Sequence, residues 1–113
     1  MFNMSAIDNI SKEYVRQINN IFTDKLKKII LYGSYARGDF NEFSDIDVMI
    51  LVDMPDEEIK KKWEEVLDIK CDLDNKYDID LSYIVKDVNQ FNKWLDVLPF
   101  YRNVKNEGVV WYE

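Results

Sequence analysis

Three aspartates and a glycine-serine pair are the residues of this chain whose types and spacing could do chemistry. Gly33-Ser34 is followed by ten residues and then by Asp45-Ile46-Asp47, all within the stretch GSYARGDFNEFSDID. If Asp45-Ile46-Asp47 opens a strand, side-chain alternation turns both carboxylates to one side and Ile46 and Val48 to the other. Two carboxylates side by side repel unless a cation compensates them. Histidine is absent from the sequence, so ligation by oxygen alone points to Mg²⁺ or Mn²⁺, ions that also bind nucleotide phosphates. A third acid on an adjacent strand would complete a two-metal arrangement, one ion binding a triphosphate and the other activating an incoming hydroxyl. The run Asp78-Ile79-Asp80 supplies candidates: Asp80 is preferred as the mid-strand residue, with Asp78, on the same face, as the alternate. Gly33 and Ser34 follow an apolar run directly and open a short helical turn, so that their backbone N–H groups and the Ser34 hydroxyl face an anion. Gly38 lets the chain reverse with positive φ, and Arg37 serves either as a phosphate contact or as a fixed salt bridge to Asp39 or Glu42. Alone, a Gly-Ser turn or an Asp-x-Asp loop is commonplace. At this spacing together they arise by chance on the order of one time in a thousand for a chain of this length.

Regular elements must hold these residues in place. Ile7, Ile10, Tyr14, Ile18 and Phe22 recur at three- and four-residue spacing, which predicts an amphipathic helix over 8–22. The apolar runs Lys28–Gly33 and Ile46–Val52 predict buried strands. Pro55, followed by Asp56, Glu57 and Glu58, predicts a helix start, and Ile59, Trp63, Val66 and Leu67 continue it. Lys76–Val85 alternates, with Ile79, Leu81, Tyr83 and Val85 on one face and Asp78, Asp80 and Ser82 on the other, as in a strand with one polar face. Val88, Phe91, Leu95 and Leu98 predict a short helix stopped by Pro99. A polar turn then leads to Gly108–Tyr112, an edge strand or an interface segment. Strands alternating with helices predict an α/β (α+β two-layer) fold.

A chain of 113 residues has room for one domain, 1–113, and none for a separate acceptor-binding domain. With 47% hydrophobic residues, it can bury a true core. Fifteen basic against 22 acidic residues give a net charge of −7, which disfavours direct nucleic acid binding. The lysine clusters Lys25/Lys27/Lys28 and Lys60/Lys61/Lys62 read as solvated helix faces. The absence of histidine removes Ser-His-Asp and Cys-His catalysis. Cys71, the one cysteine, reads as a small packing residue and fits a reducing cytoplasm. No apolar run is long enough to span a membrane, and the first residues lack the features of a signal peptide, so a cytoplasmic location is expected.

Gly33-Ser34, ten residues, then Asp45-Ile46-Asp47 resembles the signature of the DNA polymerase β-like nucleotidyltransferase superfamily. The compact size is similar to that of its minimal nucleotidyltransferase branch, the antitoxins of HEPN-domain toxins in prokaryotic toxin–antitoxin modules. The resemblance runs from about Lys28 to Val85, with GSYARGD and SDID as its specific part and the tail FYRNVKNEGVVWY a weaker one. It implies the nucleotidyltransferase fold, a small mixed sheet with helices packed on it. It also implies that Ser34 contacts the triphosphate, that Asp45 and Asp47 bind two Mg²⁺ ions, and that Asp80 is the third carboxylate and general base. Where many members carry a basic residue this chain has Tyr35, so a triphosphate contact of those relatives has no direct counterpart. The implied activity is transfer of AMP from ATP to a hydroxyl, a tyrosine foremost, of a partner HEPN ribonuclease toxin, which silences it. Two other readings stand beside it. A non-catalytic antitoxin would neutralise its toxin by contact, with Trp111 and Tyr112 either anchoring the interface or packed on the protein's own core. A nucleotidyltransferase acting on a small molecule is disfavoured by the missing second domain.

Overall fold

A computed structural model describes residues 4–113. Helix α1 (Met4–Phe22) follows from its apolar stripe: Ile7, Ile10, Tyr14, Ile18 and Phe22 are all buried. The 3₁₀ turn Thr23–Lys25 leads into strand β1 (Leu26–Tyr32), the short helix α2 (Ser34–Arg37) and strand β2 (Ile46–Val52). Helices α3 (Asp56–Lys60) and α4 (Trp63–Tyr77) carry the chain to strand β3 (Leu81–Asp87). Helices α5 (Val88–Trp94) and α6 (Pro99–Glu107) and strand β4 (Val109–Tyr112) complete it.

The strands form one mixed sheet in the order β3-β2-β1-β4. β1 is antiparallel to β2 and β4, whereas β2 and β3 run parallel, joined through α3 and α4 as a parallel pair requires. On one face Ile29, Leu31, Ile46, Val48, Ile50, Val52 and Leu81 pack with α1 and with Val66, Ile69 and Leu73 of α4. On the other, Ile30, Met49 and Leu51 meet Phe91 of α5 and Val104 of α6. Cover on both faces explains why residues 48–52 of β2 read as an unbroken apolar run.

Several expectations change in detail. The helix after Pro55 breaks at Lys61-Lys62 into α3 and α4. Lys76–Val85 is not one strand. The Val66, Ile69, Leu73 stripe keeps α4 helical to Tyr77, and Asp78 ends it in the left-handed region at φ 54°, ψ 55°. Asp80 therefore precedes β3 instead of lying within it. The expected alternation survives from Ile79 onward, since Ile79, Leu81, Tyr83 and Val85 all pack on the larger cluster. Pro99 opens α6 at its first turn, where its missing N–H costs nothing. Cys71 is exposed on α4, not packed. Lys27 and Lys28 are exposed on β1, not on a helix. The tail does form an edge strand, and Trp111 and Tyr112 pack partly on the larger cluster.

Candidate active site

Two constraints meet at Gly33. It leaves β1 at φ 76°, ψ −155°, a region essentially restricted to glycine. A Cβ there would also lie 2.4 Å from Asp47 Oδ2, so only a bare backbone lets the carboxylate come so close. The turn after it is tied by Arg37 N–H to the Gly33 carbonyl at 3.1 Å and by Gly38 and Asp39 N–H to the Ser34 carbonyl at 2.9 and 3.1 Å. Gly38 reverses the chain at φ 85°, as expected. Tyr35 stacks on Phe40, with ring centres 4.3 Å apart, and braces the loop. Arg37 Nε lies 3.2 Å from Asp39 Oδ2, and a second guanidinium nitrogen lies 3.9 Å from Glu107 Oε2. The acid partners are thus Asp39 and Glu107; no ion pair to Glu42 forms among the described residues.

Strand register sets the acids. Asp47 pairs with Tyr32 on one side and with Ser82 on the other. Asp45 immediately precedes β2 and Asp80 immediately precedes β3, whose parallel register places Ile46 beside Leu81. The Asp80 carbonyl accepts the Ile46 N–H at 2.9 Å, pinning the two strand starts together. The Asp45 and Asp80 side chains are close enough for their charges to act on each other. Burial first, and then the Asp80 carboxylate, push Asp45 above the usual carboxylate range. Burial and then Asp45 do the same to Asp47, with Asp80 adding to the rise and Arg37 opposing it. Asp80 therefore acts on both other acids. Asp45, Asp78 and Asp80 line a cleft of about 260 Å³ with Tyr35, Phe43 and Ser44, which Asp47 does not line.

Among the described residues no three acidic side chains already converge as a ready-made ion cage. An ammonium stands there instead: Lys70 Nζ is 3.2 Å from Asp80 Oδ1 and 2.5 Å from Asp74 Oδ2. Asp74 in turn accepts the Leu81 N–H at 2.9 Å. Neither Lys70 nor Asp74 was singled out in the sequence; their i,i+4 spacing was visible there, but the long-range reach to Asp80 was not. The donor set suits a hard divalent cation. It is carboxylate oxygen alone, and the repulsion that adds to the effect of burial in raising Asp45 and Asp47 is what such an ion would relieve.

Residues 12–101 match the sequence profile of the Nucleotidyltransferase domain family. The chain belongs to that family. It is 40% identical over 101 residues to "Putative protein adenylyltransferase MJ0604" of Methanocaldococcus jannaschii, covering 89% of this chain and 93% of that one. It is 46% identical over 104 residues to "Putative protein adenylyltransferase MJ0141" of the same organism, covering 91% and 96%. Among solved structures, the fold is like that of "a putative nucleotidyltransferase from Sulfolobus solfataricus", with a TM-score of 0.63 at 21% identity over 99% of this chain and 90% of that one. It is also like a toxin-antitoxin MntA-HpeT mutant, with a TM-score of 0.57 at 18% identity over 90% and 72%. The mixed sheet with packed helices is thus the nucleotidyltransferase fold.

Proposed function

We propose that the chain works as a single nucleotidyltransferase domain that transfers AMP from ATP to a hydroxyl, a tyrosine foremost, of a partner HEPN-domain toxin in the cytoplasm, and so neutralises it. The observation that carries this reading is the close approach of Asp47 to the Gly33 backbone together with the paired strand starts that bring Asp45 next to Asp80. The two relatives named as protein adenylyltransferases support the choice of a protein acceptor, and the likeness to MntA-HpeT suggests a toxin as that acceptor.

In this reading Asp45, Asp47 and Asp80 hold two Mg²⁺ ions, with Asp47 seated against the Gly33 backbone. When bound, the ions neutralise triphosphate charge and acidify the acceptor hydroxyl. Ser34, through its hydroxyl and N–H, and Gly33, by leaving room, hold the phosphates. Arg37, whose charge already acts on Asp47, swings from Asp39 to meet them. Asp80 takes the acceptor proton as general base. The acceptor oxygen forms a bond to the α-phosphorus, the α–β phosphoanhydride bond breaks, and pyrophosphate leaves.

The test is the mass of the HEPN partner after incubation with this protein, Mg²⁺ and ATP. One or more added AMP groups are expected, and none with Asp45→Asn/Asp47→Asn. An unmodified partner would overturn the reading. Toxin neutralised by stoichiometric amounts of the double variant would instead show that binding suffices.

A further inference from the structure

We infer that Lys70 is a built-in counter-ion that holds the Asp80 carboxylate until a divalent cation displaces it, and that Asp74 is the positioning residue that keeps Lys70 when it lets go. This rests on Asp45, Asp47 and Asp80 being the cation site.

The two carboxylates that Lys70 bridges are not equivalent. The Asp74 side chain is 21% exposed and that of Asp80 67%. Asp74 is fixed to the fold twice: its Oδ1 accepts the Leu81 N–H at 2.9 Å, and its carbonyl accepts the Ile79 N–H at 3.2 Å. Asp80 projects from the chain between the αL residue Asp78 and the first residue of β3. The tighter contact of Lys70 is with the fixed acid, at 2.5 Å against 3.2 Å. Releasing Asp80 therefore leaves the partly buried ammonium still paired, which avoids the large cost of an uncompensated charge.

Without Lys70, the charges of Asp74 and Asp80 would act on Asp45 without that opposing charge. Its charge opposes the rise at Asp45, so its field extends beyond its direct partners. A divalent ion entering between Asp45 and Asp80 meets an occupied carboxylate and must outcompete one positive charge with two. Lys70 thus weakens cation binding while it keeps the empty site together.

The experiment measures Mn²⁺ binding to the full chain without nucleotide, from the paramagnetic resonance signal of the free ion. Lys70→Met, which keeps the stem and removes the charge, is expected to bind Mn²⁺ about fivefold more tightly, the upper end for a part-exposed ion pair. Lys70→Gln, which keeps hydrogen-bonding capacity, should do the same and guards against a packing effect. Lys70→Arg should stay near wild type. Asp74→Asn can still accept the Leu81 N–H but loses its hold on Lys70. It should weaken Mn²⁺ binding in the wild-type chain and have little effect in the Lys70→Met background, a coupling that a double-mutant cycle isolates. Unchanged or weaker binding in both Lys70→Met and Lys70→Gln would overturn the inference, as would an equal effect of Asp74→Asn in the two backgrounds. A different outcome marks failure of the cation-site reading itself: Asp45→Asn/Asp47→Asn binding Mn²⁺ as well as wild type.

Discussion

At the scale of single residues, Gly33 and Tyr14 are the most exposed to test. Gly33→Ala would drive a Cβ into Asp47 Oδ2, at 2.4 Å, from a backbone held at φ 76°. Relief must displace the carboxylate or the bend. Nucleotidyl transfer is expected to fall about a hundredfold, the usual effect of misplacing a catalytic group by an ångström. Stability should drop by roughly 1–3 kcal/mol. Initial rates compared with thermal melts check both, and a variant with full activity would show that the close approach is dispensable. Tyr14 is fully buried, and among the described residues its hydroxyl finds no hydrogen-bond partner. Burial therefore pushes that phenol far up. Tyr14→Phe should leave the fold intact and gain about 1 kcal/mol, since an unsatisfied buried hydroxyl costs that much or more; urea midpoints measure it, and a clear loss would reveal a partner for the hydroxyl. The sequence exposed the Gly33-Ser34 and Asp45-Ile46-Asp47 pairs because their geometry is local. Alternation along Lys76–Val85 predicts a mid-strand Asp80, whereas it stands just before β3. Lys70 is not legible in the sequence because its role depends on a contact ten positions along the chain.

At the scale of elements, α1 and α4 are clasped through Glu13. The Tyr77 hydroxyl donates to Glu13 Oε2 at 2.7 Å, and Lys76 Nζ lies 3.0 Å from both carboxylate oxygens. The Tyr77 hydrogen bond first, and then Lys76, hold Glu13 below the usual carboxylate range. A carboxyl whose folded pKa is depressed adds stability that is fully present above its unfolded value and is lost as pH falls through the folded one. The acid limb of the stability curve should therefore steepen below the ordinary glutamate range, and Glu13→Gln should lower stability at neutral pH and flatten that limb, so that the two curves converge in acid. Denaturant titrations across that interval give the answer; parallel curves for the two proteins would show that the clasp contributes nothing. Helices with a clean apolar stripe were legible, α1 above all. α6 was not, because in PFYRNVKNE only Val104 is buried, leaving no stripe to count, and its Pro99 looked like a stop when it is a start. The end of α4 is ambiguous in the sequence because Lys76–Asp80 fits a two-residue period as well as a helix ending in an αL residue.

At the scale of the whole molecule, a net charge of −7 meets a site whose acids disfavour one another. A divalent ion bound to the folded chain alone should stabilise it by about 2.7 kcal/mol at a hundred times its dissociation constant. Thermal melts with Mg²⁺ or Mn²⁺ should shift upward, return on chelation with EDTA, and stay still for Asp45→Asn/Asp47→Asn. An equal shift in that variant would place the ion elsewhere. The optical probe chosen for such melts matters. Trp63 and Trp94 are 61% and 40% exposed, so their indoles already emit much as they would in water. Trp111 instead meets the Tyr14 ring edge-on, with ring centres 6.3 Å apart. The blue component of the fluorescence therefore watches β4 settle onto α1 at the far border of the sheet, and a red shift on heating reports that seam opening, whatever the aspartates are doing.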